Sequence, residues 1–421
     1  MSSSTMSRRK GGALRRTGLT VALALGALAA VPAVASASTV SISGSTITFA
    51  AASGETNGVT VTVVSTNYRF ADGPGPDPTA GSGCTDTGAT VDCPLNPSTA
   101  VTANLGDEDD TFTATGVNQD PFTINGGSQA DTLTGSDAND FLNGGPDDVD
   151  VLHGGPGNDR MDGGTGSDDS FDGGTGRDRV VYGTGYTCTN GVNVTIDNNT
   201  GTTDEGCAGD SGENVQTTVE SLTGTSFADV VTGSCFDNTF SGLGGNDTLN
   251  GDPAGCLSST SDGNEGDFLG GGTGNDTLDG DGSGNQGIDT VTYTFASGNV
   301  CTSPPTGVNV TLDDVANDTD CVGGTDNVKK DIDKVYGSAE NDTINACGTT
   351  PATRTNCLTG TGAFGLTHGV SLFGRAGGDT LYGTDNSDFL AGEAGTDTLD
   401  CKGGSDTTGD TTGDTVTNCS P

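Results

Sequence analysis

Aspartates recur at nine-residue steps along this chain, and an apolar residue follows most of them two places later. The step is clearest at Asp379, Asp388, Asp397 and Asp406. Carboxylates are oxygen ligands, and Ca²⁺ takes about six to eight oxygens in flexible geometry, whereas Mg²⁺ demands tighter geometry and keeps its waters. A carboxylate at a fixed step therefore predicts a series of Ca²⁺ sites.

The candidate metal ligands are the repeated aspartates, together with turn glycines that would leave main-chain carbonyls free to bind. The aspartates are Asp131, Asp140, Asp150, Asp159, Asp169, Asp178, Asp229, Asp247, Asp267, Asp276, Asp342, Asp379, Asp388, Asp397 and Asp406. The glycines are Gly154, Gly155, Gly157, Gly271, Gly272 and Gly274. Asn238 stands in an aspartate position, so we expect that turn to bind Ca²⁺ poorly. The turns at 144–150 and 163–169 each carry one extra residue, which alters their ligand spacing.

A nine-residue step matches neither the helix period nor the spacing of hairpins. It suits a strand of about three residues, such as TLD at 277–279, alternating with a turn of about six, such as GGTGND at 271–276. Glycine adopts positive φ without steric cost, and stacked coils place parallel strands about 4.8 Å apart. The sequence therefore predicts an all-β stack of parallel strands.

The apolar residue of each repeat would face the interior, but it gives only a thin core. Burial of one such side chain contributes ~1.5–3 kcal/mol, which does not easily offset the ordering of a chain with 72 glycines in 421 residues. Stacking also aligns the carboxylates of successive coils, where they repel one another unless a cation lies between them. We therefore expect Ca²⁺ binding to be coupled to folding.

The stretch GGTGNDTLD at 271–279 resembles the GGxGxDxUx nonapeptide of haemolysin-type (RTX) calcium-binding repeats. Residues 154–162 match strongly as well, and 126–143, 374–382 and 392–400 match with some glycines replaced. The resemblance implies a right-handed parallel β-roll, with two nonapeptides per coil and Ca²⁺ between the turns of adjacent coils. The chain also resembles secreted actinobacterial proteins over nearly its whole mature length.

The segments outside the nonapeptides suggest five regions along the chain. Residues 38–104 alternate apolar and polar residues, which predicts a small N-terminal β-rich cap on the β-solenoid. A first repeat block at 105–190 is followed by a strand-rich insert and a second block at 191–300. Residues 301–421 hold a duplicate of that insert, since GVNVT at 191–195 recurs at 307–311, and then a third block and a C-terminal cap.

The N-terminus, residues 1–37, has the pattern of a secretory signal peptide. Basic residues at 8–16 precede an apolar run at 19–31, and small residues at 33–37 allow cleavage after Ala35 or Ala37. The sequence therefore predicts a secreted, extracellular protein. A second apolar span is missing, so we expect no membrane span.

The charge of the mature chain excludes one class of partner. Five of the 15 basic residues and none of the 57 acids lie in the leader, which leaves 10 bases against 57 acids. Such a surface repels phosphate, so we expect no nucleic-acid partner. Calcium ions are the expected partner, and the cell surface or a glycan is a further partner that the sequence does not specify.

Twelve cysteines fall into six close pairs, namely 84/93, 188/207, 235/256, 301/321, 347/357 and 401/419. With only two histidines in the chain and without a CxxC pair, a zinc site is not expected. In an oxidising exterior the simplest hypothesis is six local disulfides.

These features predict a secreted calcium-binding repeat protein and not an enzyme. Neither a GxSxG nor an HExxH motif occurs, and the two histidines, His153 and His368, are interpreted as solvated positions near the repeats. The alternative function is an extracellular structural or adhesion protein, whose calcium-stabilised rod binds a partner through its inserted loops.

Overall fold

Short strands that each bury one apolar residue are the unit of this fold. In Thr132–Thr134 the two threonines lie on the outer face and Leu133 is fully buried, because side chains along a strand point alternately to opposite faces. The same pattern recurs in Thr239–Ser241 around Phe240 and in Thr398–Asp400 around Leu399. The predicted unit of a short strand and a turn of about six residues is confirmed.

The structure, a computed structural model, describes residues 37–95, 100–114, 116, 120–146, 149–165, 168–182, 191–197, 213–253, 266–281, 287–293, 307–320, 323–347 and 369–419. All of them belong to one compact unit, Ala35–Pro421. Every helix or strand in these ranges is a β-strand, which confirms the all-β fold class. Accordingly, they hold no helix that could cross a membrane. The predicted leader lies outside the described residues except for Ala37.

Two antiparallel hairpins begin the fold, and each joins one face of the parallel stack. The first strands are β1 (Thr39–Ser43), β2 (Thr46–Ala50), β3 (Gly58–Val64), β4 (Asn67–Ala71), β5 (Thr79–Ala80), β6 (Thr85–Asp86), β7 (Thr90–Pro94), β8 (Ala100–Asp107) and β9 (Thr111–Ala114). Strands β1 and β2 form one hairpin, and β3 and β4 form the other. Strand β2 then pairs in parallel with β8, and β3 with β9. The N-terminal region is thus β-rich and is continuous with the stack.

The coils that follow are built from many short strands. The first are β10 (Phe122–Ser128), β11 (Thr132–Thr134), β12 (Phe141–Pro146), β13 (Val151–Gly157), β14 (Arg160–Thr165), β15 (Ser170–Gly176), β16 (Arg179–Val181), β17 (Asn193–Thr195), β18 (Asn214–Val215), β19 (Ser221–Thr223), β20 (Val230–Thr232), β21 (Thr239–Ser241), β22 (Gly244–Gly245), β23 (Thr248–Asp252), β24 (Phe268–Gly270), β25 (Thr273–Gly274) and β26 (Thr277–Asp281). The remainder are β27 (Thr290–Thr292), β28 (Asn309–Thr311), β29 (Asp318–Thr319), β30 (Thr325–Val328), β31 (Lys334–Tyr336), β32 (Thr343–Asn345), β33 (Ser371–Phe373), β34 (Ala376–Gly377), β35 (Thr380–Tyr382), β36 (Phe389–Ala391), β37 (Ala394–Gly395), β38 (Thr398–Asp400), β39 (Thr407–Thr408) and β40 (Thr415–Thr417).

Three large sheets organise these strands into two faces. One sheet of 16 strands contains β8, β10, β12 and so on to β39, while sheets of 9 and 11 strands contain the strands that alternate with them along the chain. Each complete coil therefore contributes one strand to each face, and pairing between successive coils is almost entirely parallel. The predicted β-solenoid is confirmed, and its coils of 18 or 19 residues have the length of two nonapeptides.

The core is a pair of apolar stacks, one from each face. Leu133 aligns with Leu152, and Leu152 aligns with Phe171, in one register. Leu142 and Met161 align in the same way on the opposite face. All five side chains are fully buried. Because the strands are in register, every coil continues the same narrow core.

Two predicted disulfides are confirmed, and both lie near the ends of the described fold. Cys84 is bonded to Cys93, and Cys401 is bonded to Cys419. Cys235 and Cys347 are also disulfide-bonded. The other four predicted pairs each include at least one cysteine outside the described residues, so their connectivity stays a prediction.

Candidate metal centres

The repeated aspartates form hydrogen-bonded ladders along the two edges of the stack. In each ladder the main-chain N–H of one aspartate donates to a carboxylate oxygen of the aspartate in the next coil, at 2.7–3.0 Å. Partners are commonly 18 or 19 residues apart, so neighbours at the nine-residue step lie at opposite edges. The ladder therefore ties each turn to the turn of the adjacent coil.

The first edge carries three runs of the ladder. They are Asp110–Asp131–Asp150–Asp169, Asp229–Asp247–Asp276–Asp326 and Asp342–Asp379–Asp397–Asp414. The second edge also carries three runs. They are Asp140–Asp159–Asp178, Asn238–Asp267–Asp289–Asp333 and Asp388–Asp406.

All 15 aspartates predicted as ligands lie in these ladders, and each is at most 3% exposed. Sequence reasoning missed several members, including Asp110, Asp289, Asp326 and Asp414. An apolar residue two places later was the signal that could have found them, since Phe112, Val291, Val328 and Val416 follow them in the sequence.

Besides Asp110 and Asp414, eight ladder aspartates have one buried carboxylate oxygen, Oδ2, with no hydrogen-bond donor among the described residues. They are Asp131, Asp159, Asp178, Asp247, Asp276, Asp379, Asp397 and Asp406. Their other oxygen, Oδ1, accepts the ladder hydrogen bond. None of the eight forms an ion pair with a basic side chain of the described residues. A buried carboxylate oxygen without a donor is costly, and a proton or a cation would relieve that cost.

Burial perturbs the titration of these carboxylates. It raises the pKa of Asp131, Asp159 and Asp379 to about 7, against the ladder hydrogen bond that lowers each pKa, and neighbouring carboxylates add to the rise. Burial likewise raises the pKa of Asp247 to about 8, with Asp276 and Asp229 contributing. The turns therefore favour a neutralised carboxylate.

The predicted turn glycines shape the space around the carboxylate. At Gly154 and Gly271 a side chain would collide with Oδ2 of Asp159 and Asp276, respectively, because the carboxylate folds over the glycine α-carbon. Gly155 and Gly272 have φ of +103° and +101°, a backbone conformation that residues other than glycine rarely adopt. At Gly157 and Gly274 a side chain would collide with main-chain carbonyls of the preceding coil, those of Ala138 and Gly245, respectively. These glycines let each turn lie directly on its neighbour.

The residues of the turns fit a hard cation. Carboxylate and carbonyl oxygens are the ligands that Ca²⁺ prefers, and the buried Oδ2 atoms lie among closely stacked main-chain carbonyls. In the described part of the chain no three or more His, Cys, Asp or Glu side chains come together as a metal-binding group. Main-chain carbonyls would therefore have to complete the coordination, as the glycine-rich turns allow.

Comparison with known families agrees with this geometry. The model of the RTX calcium-binding nonapeptide repeat matches in four copies, at residues 123–149, 147–169, 223–253 and 373–407. Asp178, Asp267, Asp276 and Asp342 lie in the same ladders but outside the matched segments. No match was found among curated proteins. The chain therefore contains haemolysin-type RTX repeats, and Ca²⁺ is the ion that these repeats bind.

Proposed function

We propose that this chain is a secreted protein whose ladder aspartates, with turn carbonyls, bind several Ca²⁺ ions between adjacent coils, and whose folding is coupled to that binding. The observation that carries the proposal is the set of eight buried Oδ2 atoms without a donor. Without a cation, the stack must bury these charges unpaired or take up protons. Bound Ca²⁺ supplies the positive charge that offsets them.

The thin core supports the coupling between folding and binding. A coil with two complete nonapeptides buries one apolar residue at the centre of each strand, such as Leu381 and Leu390. A cation that binds only the folded chain stabilises it by mass action. Extracellular Ca²⁺ sites typically have dissociation constants of ~10⁻⁴–10⁻³ M, so the repeats would remain loose where Ca²⁺ is scarce and fold after export.

Calorimetric titration of the purified full chain tests the binding directly. We expect saturable binding of more than one Ca²⁺ per chain at millimolar concentrations, and much weaker binding of Mg²⁺, which demands tighter geometry. Binding of both ions with equal affinity would indicate a diffuse acidic surface and would contradict the proposal. Secretion is tested separately by N-terminal sequencing of the protein from culture medium, where we expect a start at Ser36 or Ser38.

An adhesive role is the second candidate, and one outer surface favours it. Tyr336 stacks on Phe373 at 4.6 Å between ring centroids, and Phe373 packs against Phe389 at 5.4 Å. Lys334 lies 5.8 Å from the first two rings. Such a row of rings suits the flat face of a glycan. Binding to a glycan array, compared between the wild type and Phe373→Ala, tests it; equal binding by both proteins would exclude this surface.

No catalytic role is part of the proposal. His153 lies on an outer strand position with its Nδ1 3.5 Å from Oδ2 of Asp172. His368 lies outside the described residues. The inserted loops invoked for adhesion fall largely outside them as well.

A further inference from the structure

Four ladder aspartates are held by a different kind of turn. We call the turns 135–140, 224–229, 337–342 and 383–388 capped turns, because their second residue is Ser or Thr and bonds the aspartate that ends the turn. In 337–342 the N–H of Ser338 donates to Oδ2 of Asp342 at 2.6 Å, and its hydroxyl donates to Oδ1 at 2.7 Å. The N–H of Val308 donates to the same Oδ1 at 2.8 Å. Both carboxylate oxygens of Asp342 therefore have protein donors.

The other capped turns repeat this arrangement. Ser136, Thr225 and Thr384 each donate through N–H and hydroxyl to Asp140, Asp229 and Asp388, respectively. In all four turns the hydroxyl oxygen also accepts the N–H two residues later, at 3.0–3.1 Å. The hydroxyl of the second residue thus hydrogen-bonds both to the aspartate that ends the turn and to the main chain between them.

The turns that end in the eight aspartates with an unpaired Oδ2 differ in backbone as well, and we call them uncapped turns. Their second residue has positive φ in every case, even where it is Leu243, Arg375, Glu393 or Lys402 and not glycine. The second residue of a capped turn does not. The distinction is therefore conformational: in a capped turn the second N–H points at the carboxylate, and in an uncapped turn it does not donate to it.

Capped turns begin the ladder runs. Asp140, Asp229, Asp342 and Asp388 accept the N–H of Phe122, Val192, Val308 and Val370, respectively, none of which is a ladder aspartate. Uncapped turns follow them in the same runs. Two runs start otherwise. One begins at Asn238, and in the run from Asp110 the main-chain and side-chain nitrogens of Asn57 both donate to the first carboxylate.

Asn238 supplies independent support. It is the amide that replaces an aspartate at a ladder position, and its turn, 233–238, has Ser234 in second place. The N–H of Ser234 donates to Oδ1 of Asn238 at 2.7 Å, and the side-chain amide donates to the Ser234 hydroxyl at 3.4 Å. A turn with Ser in second place therefore forms its hydrogen bonds with a neutral side chain, and this turn has no ladder carboxylate that could bind a metal.

We propose that the capped turns bind no Ca²⁺ through their aspartates. They form the first turns of the ladder runs without a metal, and the calcium-binding uncapped turns stack on them. This inference rests on the proposed function. At a capped turn, Ca²⁺ would have to displace an N–H and a hydroxyl that already satisfy the carboxylate. At an uncapped turn it displaces no donor, because Oδ2 has none among the described residues.

Adjacent rungs of one ladder provide a matched test. Equilibrium dialysis measures the Ca²⁺ bound per full chain in the wild type, Asp342→Asn and Asp379→Asn. We expect Asp342→Asn to bind as much Ca²⁺ as the wild type, because an asparagine there can form with Ser338 the hydrogen bonds that Asn238 forms with Ser234. We expect Asp379→Asn to bind less. Loss of Ca²⁺ in Asp342→Asn, or full retention in Asp379→Asn, would overturn the inference.

Two further outcomes are distinguishable. A wild-type chain that binds no Ca²⁺ would overturn the proposed function and this inference together, whereas Ca²⁺ loss in Asp342→Asn alone overturns only the inference. If Asp342→Asn fails to fold, Ser338→Ala replaces it. That variant should unfold more easily in EDTA yet bind an unchanged amount of Ca²⁺, and a lower amount would contradict the proposal.

Discussion

The main-chain N–H of Asp342 donates a 2.8 Å hydrogen bond to Oδ1 of Asp379, and the two carboxylates are satisfied in different ways. The carboxylate of Asp342 accepts hydrogen bonds from Ser338 in its own turn and from the N–H of Val308. Asp379 has none for its Oδ2 among the described residues. Stacking alone therefore does not decide where a cation is needed; the second residue of each turn does.

The calcium-free chain should become less stable as pH rises. Burial raises the pKa of Asp131, Asp159 and Asp379 to about 7 from an ordinary value of 3.8. A raised folded-state pKa contributes stability that is present below the unfolded-state pKa and is lost as pH rises through the folded-state pKa. Urea unfolding in EDTA should therefore give a lower free energy of unfolding at pH 8 than at pH 5.

Saturating Ca²⁺ should reverse that trend, because metal binding requires the deprotonated carboxylate and competes with protons. The same unfolding series with Ca²⁺ is the control. A calcium-free protein whose stability rises from pH 5 to pH 8 would show that the ladder carboxylates are not held in an environment that favours the proton.

Glycine should have opposite effects in the two kinds of turn. Glu393 has φ of +67° in an uncapped turn, so Glu393→Gly should relieve strain and stabilise the protein by up to ~1 kcal/mol, after the entropic cost of glycine. Thr384→Gly, in the neighbouring capped turn, loses the hydroxyl bonds to Asp388 and Asn386, at ~0.5–1.5 kcal/mol each. Thermal unfolding of both variants measures the difference, and a shift of the same sign would contradict the assigned turn conformations.

The thin core should still be sensitive to cavities. Leu249 is fully buried and aligns with Val231 and Leu278 in adjacent coils. Leu249→Ala should lower the free energy of unfolding by ~2–5 kcal/mol. Val230 is 42% exposed, so Val230→Ala is the control and should change stability by less than about 0.5 kcal/mol. Equal losses would mean that the apolar stack is not the core.

Much of the fold follows from local sequence pattern. The aspartate with an apolar residue two places later sets the inward face of each strand, as at Asp379 and Leu381. The nine-residue step sets the length of strand plus turn, and because the turns are alike, successive coils keep one register. The sequence therefore predicted the parallel stack, the candidate ligands and two of the disulfides.

The hydrogen bonds between coils could not be predicted from the nine-residue pattern. Nothing local shows that the amide of Asp342 donates to Asp379, since the two are 37 residues apart. The division of turns was visible only as Ser or Thr in second place, as at Ser338, and both kinds of turn end in the same aspartate. Backbone conformation separates them, because residues such as Arg375 adopt positive φ despite their side chains.

Thermal unfolding of the purified full chain in EDTA and in millimolar Ca²⁺, followed by far-ultraviolet circular dichroism, tests the central claim most directly. The account predicts that Ca²⁺ increases the β-sheet signal and raises the midpoint of unfolding by many degrees, with Mg²⁺ much less effective. An unchanged spectrum and midpoint between EDTA and Ca²⁺ would show that the stack coheres without the metal.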